Sequence, residues 1–261
     1  MFKRVQISRQ QLQALIPNIA VGEVIGKGAS AFLFAGEHQG HKLAIKAGNV
    51  AFLHKEAKNY RALGCFDEDQ RLFPRCFWYF HDRRKHNDLA VLVMSYVGPC
   101  LSKLPSEKIN IPVLMQTMLR ALYRLHSQGM VHCDVKPGNI LQQSRDHYVL
   151  VDMGLTHEID WTREYTSTVV GTQNYKSVAI CQKKAPRPVD DLISLVYTLA
   201  RITNKNLWFY YNSESKILSA KISHQHRLFD DPTHSAFAKH VFSLDRHQPT
   251  YCLEELLAYF S

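Results

Sequence analysis

The sequence predicts an α+β chain of two lobes: strand-rich with one main helix over residues 1–94, a hinge at 95–99, and mostly helical over 100–261. Three observations lead there. Between Val21 and Val93 short apolar runs alternate with turn residues, and only "AFLHKEAKNYRAL" carries a helical period. The apolar run "LAVLVM" ends at Met94, and "SYVGPC" then sets Gly98 beside Pro99, a turn dipeptide. Beyond it the apolar residues recur at helical spacing.

Taken in order, Ser8 with Gln11 reads as a capping box opening a short helix with Leu12, Leu15 and Ile16 on one face, suited to pack under the first sheet. "VIGKGASAFLF" is a strand-turn-strand, and "LAIK" is an apolar strand that delivers Lys46. The helix that follows places Phe52, Leu53, Ala57, Tyr60 and Leu63 at helical spacing, which makes Glu56 the natural partner of Lys46. In the second lobe Ile111, Leu114, Met115, Met118, Leu122 and Leu125 form one apolar stripe that Gly129 stops. "YVLVD" is a buried strand. "DDLISLVYTLARI" is apolar on nearly all sides and so belongs in the middle of its lobe; Asp191, a buried carboxylate, then needs N–H partners and can brace the loop at 132–139. Two amphipathic stretches, near Phe237 to Leu244 and Leu253 to Phe260, close the chain.

The chemistry concentrates in His132, Cys133, Asp134, Val135, Lys136, Pro137, Gly138, Asn139, followed by Asp152, Met153, Gly154. This order supplies a general base (Asp134), a cation for a transferring phosphoryl group (Lys136) and two metal-binding side chains, Asn139 and Asp152. It reads as a phosphotransferase site. Such a site must also grip a triphosphate, and Gly26 and Gly28 stand where small residues let backbone N–H groups approach phosphate oxygens, with Lys46 downstream. The third glycine of G-x-G-x-x-G is Ala31, which disfavours positive φ and predicts a stiffer loop.

The bulk properties narrow the classes. The chain has 261 residues, 46% of them hydrophobic, enough to bury a core. No apolar stretch approaches the ~18 residues of a membrane span, and the opening "MFKRVQISRQQLQAL" has no secretory apolar region. Six dispersed cysteines without C-x-x-C spacing argue against a zinc site or disulfide scaffold, and for a reducing cytoplasmic or nuclear setting, delivery into another cell being left open. The net charge of +9 admits a nucleic-acid partner, yet the cations form no single block. Arg83, Arg84 and Lys85 make one short cluster; Lys183, Lys184 and Arg187 make another, read as attraction for an acidic or phosphorylated protein substrate.

With these residues in place, residues 20 to 210 resemble a eukaryotic-type protein kinase, most similar to the casein kinase I and vaccinia-related kinase branch through "VLVMSYVGPCL", "GTQNYKSVAI" and "DDLISL". The resemblance implies a two-lobed kinase fold with a small antiparallel sheet, and a serine/threonine protein kinase using ATP and Mg2+, with Mn2+ an alternative. It implies that Asp134 orients the substrate hydroxyl, Lys136 neutralises the γ-phosphoryl, Thr172 bonds both, and Lys46 pairs with Glu56 and contacts the phosphates. Gly26 and Gly28 would cover the phosphates; Ile25, Leu33, Ala44 and Leu141 would enclose the base; the backbone of Ser95 and Val97 would meet its edge, with Met94 as gatekeeper. Asn139 and Asp152 would hold the metal.

Four departures from that family stand out. Cys133 replaces the arginine that pairs with a phosphorylated activation loop, so activity should not need phosphorylation of Tyr165, Thr166, Ser167 or Thr168. Asn174 stands where casein kinase I carries a phosphate-binding arginine, against a preference for pre-phosphorylated substrates. The segment between Lys46 and Glu56 is short, so the helix should begin abruptly. Met153 replaces phenylalanine in D-F-G and should keep the packing of His132 and Tyr60. Competing readings are a small-molecule phosphotransferase of the aminoglycoside or choline kinase type, against which Lys136 and the 152–154 triplet stand, and a catalytically weak kinase-fold scaffold, against which the retained Lys46, Glu56, Asp134, Asn139 and Asp152 stand.

Overall fold

In the computed structural model, which describes residues 7–28, 31–67, 71–81, 88–166, 170–203, 207–225 and 227–261, the alternating runs of the first third form one five-stranded antiparallel sheet. Its strands β1 (Ala20–Lys27), β2 (Ala31–His38), β3 (His41–Asn49), β4 (Cys76–His81) and β5 (Leu89–Ser95) lie in the order β1-β2-β3-β5-β4. Helix α1 (Arg9–Leu15) precedes the sheet and α2 (Val50–Ala62) follows β3. The chain divides into two units: one runs to Val97 and takes in Asp152–Gly154, and the other comprises Gly98–Val151 and Leu155–Ser261.

Register decides what each face of the sheet carries. Phe34 pairs with Ile45 and Ile45 with Val93, so these three share a face. They form one apolar cluster with Val21, Leu43, Ala47, Val91 and, from α1 and its C-cap, Leu12 and Ile16. The side chain of Ser8 caps α1 and the Gln11 side chain returns the bond, as the sequence predicts. Gln13 completes the docking: its amide accepts the Val21 N–H at 2.8 Å and donates to the Ile19 carbonyl at 2.8 Å. The opposite face carries Leu33, Lys46 and Leu92 in one row and Ala35, Ala44 and Met94 in the next. β3 passes into α2 without a loop, with Asn49 as the N-cap accepting from the Ala51 N–H, the abrupt helix start the sequence predicts.

The second unit is built around α3 (Ile111–Ser127) and α5 (Pro188–Thr203). Leu114, Met115, Met118, Leu122 and Leu125 of the predicted stripe are fully buried, and Gly129 ends the helix at φ +70°. Two short ladders follow, β6 (Met130–Val131) with β9 (His157–Glu158), and β7 (Ile140–Ser144) with β8 (His147–Leu150). Short α4 (Val178–Cys181), α6 (Glu214–His224), α7 (Pro232–Ser243) and α8 (Leu253–Leu257) complete it. The sequence reading has no counterpart for α6, whose buried face is only Ile217, Ala220 and Lys221, with Ile222 exposed. Among the described residues no helix is long and apolar enough to cross a membrane.

Leu12 is fully buried beneath the sheet. Leu12→Ala should lower stability by about 2–5 kcal/mol through lost transfer energy and a residual cavity, read from urea unfolding.

Candidate active site

In the first unit Lys46 leaves the sheet face opposite the apolar cluster and meets two carboxylates. Its Nζ lies 2.7 Å from Glu56 Oε2 and 2.9 Å from Asp152 Oδ1. Glu56 is almost wholly buried, whereas the Asp152 side chain is 44% exposed and so is the member open to a ligand. Burial works against the Lys46 ammonium, but the Asp152 and Glu56 carboxylates outweigh it and hold it above its ordinary value. Burial pushes the Glu56 carboxyl up to about 7, against the pull of Lys46.

Helical spacing on α2 supplies the rest of the grip. Glu56, Asn59 and Tyr60 share one face, at i, i+3 and i+4. Asn59 Nδ2 donates to the Met153 carbonyl at 2.9 Å, and Tyr60 Oη accepts the Asp152 N–H at 3.0 Å. Asp152 sits at φ +70°, a conformation L residues seldom adopt, and these bonds hold it there. Gly154 is closely packed: a Cβ there would stand 3.3 Å from Asp152 Oδ1 and press on that carboxylate.

In the second unit the loop after β6 gathers four donors on Asp134. Thr172 gives Oδ1 its N–H at 2.9 Å and its hydroxyl at 2.6 Å. Lys136 Nζ and Asn139 Nδ2 reach Oδ2 at 2.6 and 3.0 Å. Lys136 Nζ also donates to Thr172 Oγ1 at 2.7 Å. A carboxylate so bound is fixed in orientation. Gly171, at φ +89°, lets the Thr172 segment approach the loop, since a Cβ there would collide with the Cys133 carbonyl.

Beneath the loop lies Asp191 of α5. Its Oδ2 accepts the His132 N–H at 2.7 Å and its Oδ1 the Cys133 N–H at 2.9 Å, the bracing that a carboxylate in an otherwise apolar helix predicts. His126 Nε2 adds a contact to Oδ2 at 3.0 Å and its Nδ1 meets the Tyr251 hydroxyl at 3.0 Å. Burial would push the Asp191 carboxyl up, but the bonds from His126 and the His132 N–H more than offset it and hold it below the ordinary value. His132 is fully buried; its Nδ1 accepts the Asp134 N–H at 3.2 Å, which leaves Nε2 to donate to the Val151 carbonyl at 3.1 Å.

Known proteins are similar to this chain. A family model described as protein kinase domain matches residues 19–245. The chain belongs to the protein kinase domain family. A probable serine/threonine-protein kinase of Dictyostelium discoideum is 25% identical over 262 residues, covering 93% of this chain and 50% of that protein. The serine/threonine-protein kinase nekl-2 of Caenorhabditis elegans is 39% identical over 90 residues, covering 34% of this chain and 25% of that protein. The kinase domain here therefore spans half or less of the length of these two relatives. The solved structure of vaccinia related kinase 3 superposes with a TM-score of 0.74 at 16% identity, covering 93% of this chain and 86% of that one, a likeness of fold.

Kinase domains as a family use ATP and a divalent metal. Asp152 in the first unit offers a carboxylate and Asn139 in the second an amide, each an oxygen donor of the kind hard cations take, and among the described residues there is no cluster of three or more His, Cys, Asp or Glu. Magnesium is usually held by one or two carboxylates plus substrate phosphates, and the Asp152 carboxylate is a donor of that kind.

Other predicted positions fall as follows. Gly26 pairs with Leu33, and Ile25 is partly exposed on β1. Ala31 is not under φ strain: it opens β2, buried and paired with Gly48, with its carbonyl accepting the Gly28 N–H at 2.9 Å. Leu33, Ala44 and Met94 share the Lys46 face of the sheet. The Ser95 N–H already donates to the Arg75 carbonyl at 2.8 Å, so Ser95 could meet a base only through its own carbonyl; Val97 follows at the end of the first unit. Leu141 lies on β7, bridged to Cys100. Arg187 leaves the basic surface cluster. It is buried, donates to the Pro186 and Arg163 carbonyls and stacks over Trp161, while Lys183 stays exposed and Lys184 partly so. Arg83, Arg84, Lys85, Ser167 and Thr168 lie outside the described residues. Asn174 gives its carbonyl to the Trp208 indole and offers no cation for a phosphate. Sequence reasoning missed Asn59, His126, Tyr251, Trp208 and Lys221; of these only Asn59, on the Glu56 face of α2, carried a readable signal.

Asp191→Ala should cost about 3–5 kcal/mol, because two backbone N–H groups and a ring N–H lose their acceptor at once. The folded-state carboxyl sits below its unfolded value of 3.8, so this contribution is present above that pH and is lost as pH falls through the folded value. Unfolding curves of the two proteins should differ most near neutrality and converge on acidification.

Proposed function

We propose that this kinase domain is a serine/threonine protein kinase that moves the γ-phosphoryl group of MgATP onto a protein hydroxyl. The observation that carries the reading is the fixing of Asp134 by Thr172, Lys136 and Asn139. Phosphoryl transfer through a loose transition state asks for in-line positioning and charge neutralisation, and an ionised carboxylate held in one orientation can align a hydroxyl and take its proton. When bound, the nucleotide supplies the phosphoryl group and the metal, Mg2+ or Mn2+, offsets its charge. Asp152 and Asn139 would hold the metal, and Lys46, kept cationic by its two carboxylates, would grip the phosphates. Gly26 and Gly28 would cover them. Ile25, Leu33, Ala44, Met94 and Leu141 would enclose the base, with the Ser95 carbonyl and the Val97 backbone at its edge. Lys136, 26% exposed, is placed to shift from Asp134 towards the γ-phosphoryl. Thr172 beside Asp134 and a lysine two residues after it favour a protein acceptor over a small molecule. Lys183 and Lys184 favour an acidic one.

The activation segment supports independence from loop phosphorylation. The Thr166 N–H donates to the Lys183 carbonyl at 2.9 Å and the Ala185 N–H to the Glu164 carbonyl at 2.8 Å, a backbone ladder that needs no phosphate. Cys133 offers no guanidinium to one.

With labelled nucleotide, the protein should label a casein and histone mixture and leave choline and aminoglycosides unlabelled; labelling of the small molecules alone would overturn the reading. Asp134→Asn should lower kcat by about 10²–10⁴ while nucleotide-dependent thermal stabilisation survives. Replacing Tyr165, Thr166, Ser167 and Thr168 together by Phe, Val, Ala and Val should leave the rate within about threefold, since no charged contact of the kind a loop phosphate makes is lost; loss of most activity would show that the loop is a switch.

A further inference from the structure

The turn that follows Thr172 satisfies its N–H groups locally, with Tyr175 and Lys176 both donating to the Thr172 carbonyl at 2.9 and 3.1 Å. Its own carbonyls point inward and need donors from elsewhere. Lys221 of α6 supplies two: its Nζ donates to the Gln173 carbonyl at 2.7 Å and to the Lys176 carbonyl at 2.6 Å. Trp208 Nε1 donates to the carbonyl between them, that of Asn174, at 3.0 Å. The Lys221 ammonium also lies 5.0 Å from the Tyr197 ring centroid and 5.9 Å from that of Trp208.

This is an expensive way to fill a core. Lys221 is fully buried, and no salt bridge joins it among the described residues. Withdrawing an ammonium from water costs several kcal/mol, which two carbonyl dipoles and two aromatic faces recover only in part. Burial pushes it down to about 8, so it still carries its charge at neutral pH. A methionine would occupy the volume without that cost but would leave the carbonyls of Gln173 and Lys176 without donors. What the ammonium provides, and an apolar side chain cannot, is a fixed path for residues 173–176, the stretch that leads directly from the threonine on Asp134.

We propose that Lys221 is a positioning residue for the protein acceptor: clamped on the Gln173 and Lys176 carbonyls, it shapes the segment against which the acceptor chain lies, so that the acceptor hydroxyl reaches Asp134. The inference rests on the protein-kinase reading above. It differs from a purely structural role in what it spares, because the bonds of Lys46 to Glu56 and Asp152 and those of Lys136 and Asn139 to Asp134 do not pass through Lys221.

The test compares wild type with Lys221→Met in three assays: phosphate transfer to a casein and histone mixture, hydrolysis of ATP without acceptor, and thermal stabilisation by MgATP. The expected result is a fall of about 10- to 100-fold in kcat/KM for the protein acceptor, carried mainly by kcat, since misplacement of a reacting group by about 1 Å has effects of that size. ATP hydrolysis and nucleotide stabilisation should stay within about twofold, because neither needs the acceptor in place. An unchanged acceptor kcat/KM, or equal loss in all three assays, would overturn the proposal. If Lys221→Met does not fold, Trp208→Phe, which removes only the donor to Asn174 and keeps a ring under the ammonium, is read in the same way and should show a smaller shift in the same direction. A wild type that hydrolyses ATP but labels no protein would remove the functional reading itself, whereas an active wild type with an unaffected variant removes this inference alone.

Discussion

The Asp191 carboxylate carries the arrangement of the loop in the second unit that presents Asp134. Residues 132 and 133 sit between a two-residue strand and a 3₁₀ turn, where no regular ladder reaches their N–H groups. Cys133 is at φ +68°, which a non-glycine residue adopts at a cost of about 1–2 kcal/mol. An acceptor with two oxygens aimed at two successive N–H groups can hold such a backbone, and for a carboxylate inside an apolar helix those bonds, with the contact from His126, compensate its burial. The consequence reaches Asp134 one residue later: its own N–H is tied to His132, and its side chain is turned to Thr172, Lys136 and Asn139.

The first unit reaches comparable order by repetition. A strand period of two separates the apolar cluster under α1 from the row of Leu33, Ala44, Lys46 and Met94, and a helix period near 3.6 brings Glu56, Asn59 and Tyr60 to one line. Each residue's position there follows from counting along the chain. That is why the pairing of Lys46 with Glu56 was legible before any coordinates, and why Asn59 could have been found by continuing the same count.

Legibility ended where repetition ended. Asp191 could be read because a carboxylate conflicts with the apolar helix around it. Arg187 could not: in the sequence it is a cation after two lysines, and its burial over Trp161 and against the Arg163 carbonyl depends on how distant segments dock. The Asp190 carboxylate, shared among the Ser177 hydroxyl, the Arg187 N–H and the Arg246 guanidinium, gives no local sign of its partners, the last of them 56 residues away. Helix α6 escaped notice for a related reason. One of the three residues on its buried face is a lysine, so its apolar period is broken at the position that matters most.

The two buried ionic devices of this unit answer complementary needs. Loop backbone cannot satisfy itself as helices and sheets do, and a lobe that places catalytic groups on loops must supply donors and acceptors from rigid elements. Asp191, on α5, takes the N–H groups of the loop that carries Asp134. Lys221, on α6, takes the carbonyls of the segment that carries Thr172. A neutral amide in place of either would satisfy fewer backbone groups and with weaker bonds, because charge-assisted hydrogen bonds are roughly twice as strong as neutral ones. Thr172 and Asp134 then meet with each side anchored to a different helix, so the 2.6 Å bond between them reports the docking of α5 and α6 as much as any local preference of the two residues.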